Sequence, residues 1–269
     1  MLRRPLLAAS LMLAAAPSSL LAQVSSGPAA PLRLGADRAL VESGLARSLQ
    51  LSFGLDTGIA VKLVSGPALA VLDAVRDGEV DAALTNAPAA EESLDTQGLV
   101  HDRRAIADGD FIIVGPPPKV RGKLPPPMRS GIDALARIHE LATTAGGEPV
   151  VFLSAGDGSG THVVEQALWR AAHIDPAAAW YTTAAAKEGF AAQVRARGAY
   201  AVVERGAWIA QGGAPQSIFA EGDPLLAESV HAMRAFRITH PAGKIFIAWI
   251  AGGRGRALVA AHRGYRVPA

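Results

Sequence analysis

Apolar residues follow two rhythms along this chain. Short runs such as Leu32-Arg33-Leu34, Ile59–Val64 and Val80–Leu84 read as strands, by alternation or by continuous apolar character. The stretches between them, Ala39–Asp56 and Ala68–Arg76, carry apolar residues at helical spacing. Gly35–Arg38 reads as a turn, and Gly78 stands where a helix C-terminus calls for glycine. A strand–helix–strand–helix–strand order predicts a parallel sheet with helices on both faces.

The rhythm resumes after a break. Phe111–Val114 is a fully apolar strand cut off by Gly115-Pro116-Pro117-Pro118, and Lys119–Pro127 reads as a boundary loop. A second α/β unit follows, with a helix over 131–142, a strand over 149–153, and helices over 162–172 and 187–197. Ala199–Val203, Ile218–Ala220 and Ser229–Phe236 read as strands, and Pro241–Ile250 and Gly253–His262 as helical. Two α/β units of one kind predict two lobes with a cleft between them.

The N-terminus is a separate object. Arg3 and Arg4 precede an apolar run, Leu6–Ala16, and Leu20-Leu21-Ala22 ends in a small residue. This is the pattern of a secretory signal peptide over residues 1–22. The run is shorter than the ~20 residues that span a bilayer. Residues 23–31 form a small, Pro-containing leader.

Composition narrows the classes. With 26 Lys and Arg against 24 Asp and Glu, the formal charge of +2 argues against a nucleic-acid partner or an anionic membrane. The chain has no cysteine, so disulfides and thiolate metal sites are excluded. Its 7 histidines lack the spacing of a helical metal site, and no cofactor is expected.

The segment Phe152–His162, FLSAGDGSGTH, carries the candidate chemistry. Gly156, Gly158 and Gly160, with Ser159 and Thr161, lie between a predicted strand and a predicted helix. Free N–H groups and partial positive charge at a helix start attract anions, and glycines let the backbone close on them. The loop is equally a Gly-rich turn with Ser159 or Thr161 as the helix cap. It lacks the Lys of a phosphate-binding P-loop and the glycine spacing of a nucleophile elbow. His162 has no carboxylate fixed near it by sequence, so no nucleophile–base pair is visible and an enzyme is not expected. Asp73, Asp77, Glu79 and Asp81 read as solvated helix-end charges. The tryptophans read as core, with Trp180-Tyr181 as a candidate cleft lining.

Several segments then resemble one family together. SGL at 43–45, TGIAVKLV at 57–64, RDGEVDAALTNAPAAEE at 76–92, DFIIVGP at 110–116, SAGDGSGTH at 154–162, WY at 180–181, GAYAVVERGAWIA at 198–210 and EGDPLL at 221–226 occur in its order. They resemble the periplasmic tungstate-binding proteins of ABC transporters, within the wider periplasmic-binding-protein class. The resemblance implies a type II two-lobed α/β fold, each lobe a mostly parallel sheet flanked by helices. Lobe I would comprise 32–114 and 219–269, and lobe II 115–218, with crossovers near Phe111–Pro116 and Ile218–Ala227. It implies an exported, periplasmic, monomeric protein that captures a tungstate- or molybdate-type oxyanion for the permease of an ABC transporter. A receptor for a small organic anion or zwitterion, serving a transporter or a sensor, is the alternative.

The family's loop residues carry onto Ser154, Asp157, Ser159, Gly160 and Thr161. Three departures stand beside them. Ala155 replaces the family's Arg. Its Thr- and Ser-rich first turn reads Ala36-Asp37-Arg38-Ala39, and a second turn falls at Ser65-Gly66-Pro67-Ala68 without its Thr. Arg38 is the candidate substitute cation, Asp37 a neighbour that repels an anion or suits a zwitterion, and Ser65 the remaining hydroxyl of the second turn.

Overall fold

The computed structural model describes residues 30–116, 124–146, 149–176, 179–185, 189–237 and 240–269. The signal segment read over 1–22 lies outside them. The first unit runs β1 (Leu32–Asp37), α1 (Arg38–Glu42), α2 (Leu45–Thr57), β2 (Val61–Gly66), α3 (Ala68–Asp77), β3 (Ala82–Thr85), α4 (Pro88–Thr96) and β4 (Val100–Val114). The second runs α5 (Gly131–Thr143), β5 (Phe152–Ser154), α6 (Gly160–Ala171), β6 (Tyr181–Thr183), α7 (Phe190–Arg197), β7 (Ala201–Glu204), α8 (Arg205–Ala210) and β8 (Ile218–Ala220). The chain ends with β9 (Ala227–Ala235), α9 (Pro241–Ala251) and α10 (Gly253–Ala261).

The main sheet has the order β2-β1-β3-β9-β4-β7, with β8 beside β4. β1 is parallel to β2 and β3, as the strand–helix alternation predicts. β9 runs antiparallel to both β3 and β4, and β7 antiparallel to β4, so the whole sheet is mixed. β5 and β6 form a separate parallel pair.

Three local readings differ from the structure. Gly35–Asp37 is strand, not turn, because Ala36 and Asp37 pair with Ser65 and Gly66 of β2. The single helix read over Ala39–Asp56 breaks at Ser43-Gly44, where Gly44 takes φ +88, a left-handed conformation that favours glycine. Only the apolar tip of β4 was legible. Its first eleven residues carry charges that are neutralised by distant partners, as in Arg103–Glu91, Arg234–Asp102 and Arg205–Asp110.

The cores fall into two groups. In the first, Leu34, Leu49, Phe53 and Phe246 pack on one face of the β1–β3 sheet, and Val71, Val75, Ala83 and Met233 on the other. In the second, Phe111, Ile113, Phe152, Trp169 and Phe219 pack under α5 and α6, and Ile112, Val114, Leu153 and Trp208 lie on the opposite face. The alternation along Phe111–Val114 follows the two-residue period of a strand buried on both faces. Each large side chain removed from water contributes about 1.5–3 kcal/mol. β4 pairs with β9 through Asp110 and with β7 from Phe111, so the packing changes hands there and again at Leu226–Ala227. The division read at 114/115 falls after the first point and that at 218/219 well before the second, so that Phe219, Ala220 and Leu226 pack in the second core.

Candidate functional site

Where the two groups of cores face each other, the end of β1 meets the loop before α6. Asp37 ends β1 and caps α1, and it is fully buried. Its Oδ1 accepts the Ala39 N–H at 2.8 Å, as an N-cap does. Its Oδ2 accepts the N–H of Gly160, first residue of α6, at 3.3 Å. Burial raises its pKa to about 6, against the lowering effect of those N–H groups, and nearby Asp157 raises it further.

The loop itself is built from conformations that glycine tolerates. Gly156 and Gly158 take φ +63 and +78. A Cβ on Gly160 would collide with the Asn86 side chain, so glycine is required there for close approach. Ser159 caps α6, its Oγ accepting the His162 N–H at 3.3 Å. The Ser159 N–H donates to Asp157 at 3.0 Å, and the Gly158 N–H to Nδ1 of His162 at 3.0 Å. Burial lowers the His162 pKa, consistent with a neutral ring that accepts. The donors of Gly158, Ser159, Gly160 and His162 therefore all meet acceptors of the chain itself.

Several polar contacts among the described residues join the two halves. Besides Asp37 with Gly160, the Leu69 N–H donates to the Gly158 carbonyl at 3.1 Å, and Arg38 Nη1 bridges to Asp157 Oδ2 at 2.9 Å. Beside them lies a cavity of about 150 Å³. Arg38, Glu42, Asp157, Thr183, Phe190 and Glu204 are among its lining residues. Glu204 caps α8 through the Gly206 and Ala207 N–H groups, and burial raises its pKa to about 8. Glu42 is also raised by burial, against the pull of Arg38.

Asp37, Arg38, Asp157, Ser159, Gly160 and Thr161 are thus brought together, and Arg38, Asp157, Ser159 and Thr161 line the cavity. Ser154 is buried at the end of β5, below the loop. Ser65 stands exposed on β2, opposite Ala36, and is not among the cavity's lining residues. Trp180 and Tyr181 join the aromatic core with Phe152 and Trp169 instead of lining the cleft; Phe152 and Tyr181 stack at 5.6 Å. Tyr181 also donates to Glu165 at 2.6 Å. Of the charge cluster read as solvated, Asp81 is buried in a fork with Arg33. Among the described residues no group of three metal-ligating side chains could hold an ion.

The sequence reading missed Glu42, Thr183, Phe190, Gln193 and Glu204 of the lining. One of them had a signal. Glu204 ends the apolar strand Ala201-Val202-Val203 just ahead of a helix, the same strand-to-helix position that Asp37 holds.

Comparison with known proteins points one way. The family model described as PBP superfamily domain matches residues 37–245. The tungstate-binding protein TupA of Peptoclostridium acidaminophilum is 34% identical over 172 residues, 62% of this chain and 57% of that protein. The chain spans about half the length of the curated relatives it matches. The solved structure of the tungstate ABC transporter from Geobacter sulfurreducens aligns with a TM-score of 0.67 at 25% identity, covering 86% of this chain and 97% of that one. The tungstate-binding protein TupA from Desulfovibrio alaskensis G20 aligns with a TM-score of 0.66 at 25% identity, covering 89% and 100%.

Proposed function

The chain belongs to the PBP superfamily, and from that premise we propose that it captures a small anion in this cleft for the permease of an ABC transporter. One observation carries the reading. The N–H groups of Ala39 and Gly160, each at the start of a different helix, converge on a single buried anionic group between the two halves. Such convergent donors are what an oxyanion without protons requires. The relatives named for tungstate support an oxyanion of that type.

In this reading Ser159, Gly160 and Thr161 present the helix start, and Arg38 supplies the cation missing at Ala155. Asp157 orients Arg38, Asp37 holds the anion position, Ser154 supports the loop from below, and Ser65 stands at the outer lip. The halves act as lobes I and II, with β4 and β9 as the connecting strands. Residues 1–22 direct export to the periplasm and are removed, and the protein works as a monomer. Among the described residues no helix is long and apolar enough to cross a membrane. Binding without catalysis fits the loop. Ser159 Oγ accepts a backbone N–H and the His162 ring accepts another, so the two do not form a nucleophile–base pair.

A second reading has its own observation. Glu42, Asp157 and Glu204 outnumber Arg38 in the cavity, and Phe190, Ala191 and Val203 give it apolar walls. That lining suits a small organic anion or zwitterion, delivered to a transporter or a sensor.

Thermal unfolding of the purified protein with tungstate, molybdate, sulfate, phosphate and a panel of organic acids and amino acids separates the two. Ligand at a hundred times its Kd adds about 2.7 kcal/mol, a rise of about 5–10 °C in Tm at this chain length. A rise with inorganic oxyanions alone supports the first reading, and a rise with an organic solute alone the second.

A further inference from the structure

The donors assembled for an anion already hold one, and the chain supplies it. Capping α1 needs only the Asp37–Ala39 bond. The bond to Gly160 is not a capping bond, since it spans 123 positions and joins the other half of the molecule. Among the described residues no cation pairs with the Asp37 carboxylate. Asp157 raises its pKa, and it in turn raises those of Glu204 and Glu228, all carboxylates, while the adjacent Arg38 extends to Asp157. A buried carboxylate fed by backbone donors at the starts of α1 and α6 is a stand-in for a bound solute.

We infer that Asp37 is the selectivity residue of the cleft: a tethered carboxylate that occupies the anion position, so that an inorganic dianion enters only by expelling it. This rests on the anion-capture reading above. An ionised Asp37 cannot share the N–H groups of Ala39 and Gly160 with a second anion, because like charges at contact distance in a buried site repel. A solute therefore competes with the protein's own side chain, and the wild type is a weaker oxyanion receptor than its scaffold allows. Smaller or neutral residues at position 37 should release the donors while still capping α1. Serine does so by removing both charge and bulk, and asparagine by removing the charge alone.

The test titrates tungstate and molybdate at neutral pH into the wild type, Asp37→Ser and Asp37→Asn, with circular dichroism confirming the fold of each. Tighter binding by Asp37→Ser, by about tenfold or more, is expected, the scale of one charge-assisted hydrogen bond. A gain in Asp37→Asn as well assigns the effect to charge; it also keeps the test open if Asp37→Ser does not fold. Equal affinity in all three proteins overturns the role given to Asp37 and leaves anion capture standing. Absence of binding in all three overturns anion capture, and the role of Asp37 with it.

Discussion

The Asp37 carboxylate meets the Gly160 N–H at 3.3 Å across the cleft, from positions 123 residues apart. One bond ties the end of β1 to the start of α6, and under the proposed reading it makes an acidic residue the tenant of the anion position. The consequences reach stability, pH response and ligand choice.

Stability should fall as pH rises. Asp37, Glu165 and Glu204 have ordinary values of 3.8, 4.5 and 4.5, which burial raises to about 6, 7 and 8. Between each ordinary value and its raised one, the folded state holds a proton that the unfolded chain has lost. Raising pH through that window therefore removes stability. Below about pH 4 the lowered carboxyls of Asp77 and Asp102 act in the opposite sense. Tm measured from about pH 5 to pH 8 should decline, and Glu204→Gln should flatten the upper part of the decline. A Tm that rises over that range contradicts the assignment.

Arg38→Ala should separate stability from binding. The Arg38–Asp157 pair is partly exposed, at 31% and 22% of the side chains. Its loss should change unfolding free energy by no more than about 1 kcal/mol. Affinity for the captured anion should fall by about tenfold, as one charge-assisted hydrogen bond is lost. Unchanged affinity in a folded variant would remove Arg38 as the substitute cation.

Gly160→Ala tests the close approach of the two halves. The added methyl meets the side chain of Asn86, whose Nδ2 donates to Glu228 at 2.7 Å. Overpacking of this kind should destabilise by about 1–3 kcal/mol and weaken anion binding together. Gly198 is a suitable control, with φ +57 and open space around it. Gly198→Ala should lower stability by about 1 kcal/mol through backbone strain alone and leave binding intact. Denaturant unfolding beside calorimetry reads both.

Phe152→Ala should report on the second core. Phe152 is fully buried against Trp169 and Tyr181, with ring centres at 5.1 and 5.6 Å. Deletion of such a ring should lower stability by about 3–5 kcal/mol. Since β5 leads into the anion loop, ligand should recover part of the lost Tm. No recovery at saturating ligand would detach the loop from the binding site.

The parts legible in sequence were those written locally. The glycine-rich run from Gly156 to Ser159 marked the loop because left-handed glycines and a serine cap are local demands. The Phe111–Val114 run marked a strand because both of its faces are buried. What escaped depends on partners far away in the chain. The polar half of β4 does not look like a buried strand until Glu91, Arg205 and Arg234 are placed beside it. Ser65 looked equivalent to the other hydroxyls; a period of two puts it on the face of Val61 and Leu63, yet it stands exposed toward the end of β2. The character of Asp37 was legible as a repulsive charge. Its bond to Gly160 was not, because Gly160 comes to it only through the fold.

Calorimetric titration of tungstate into the purified protein tests the central claim most directly. Saturable binding at one site per chain, tightened in Asp37→Ser, is the predicted result. The absence of saturable heat with tungstate and every other anion of the panel, in wild type and variant alike, would contradict capture of an anion in this cleft.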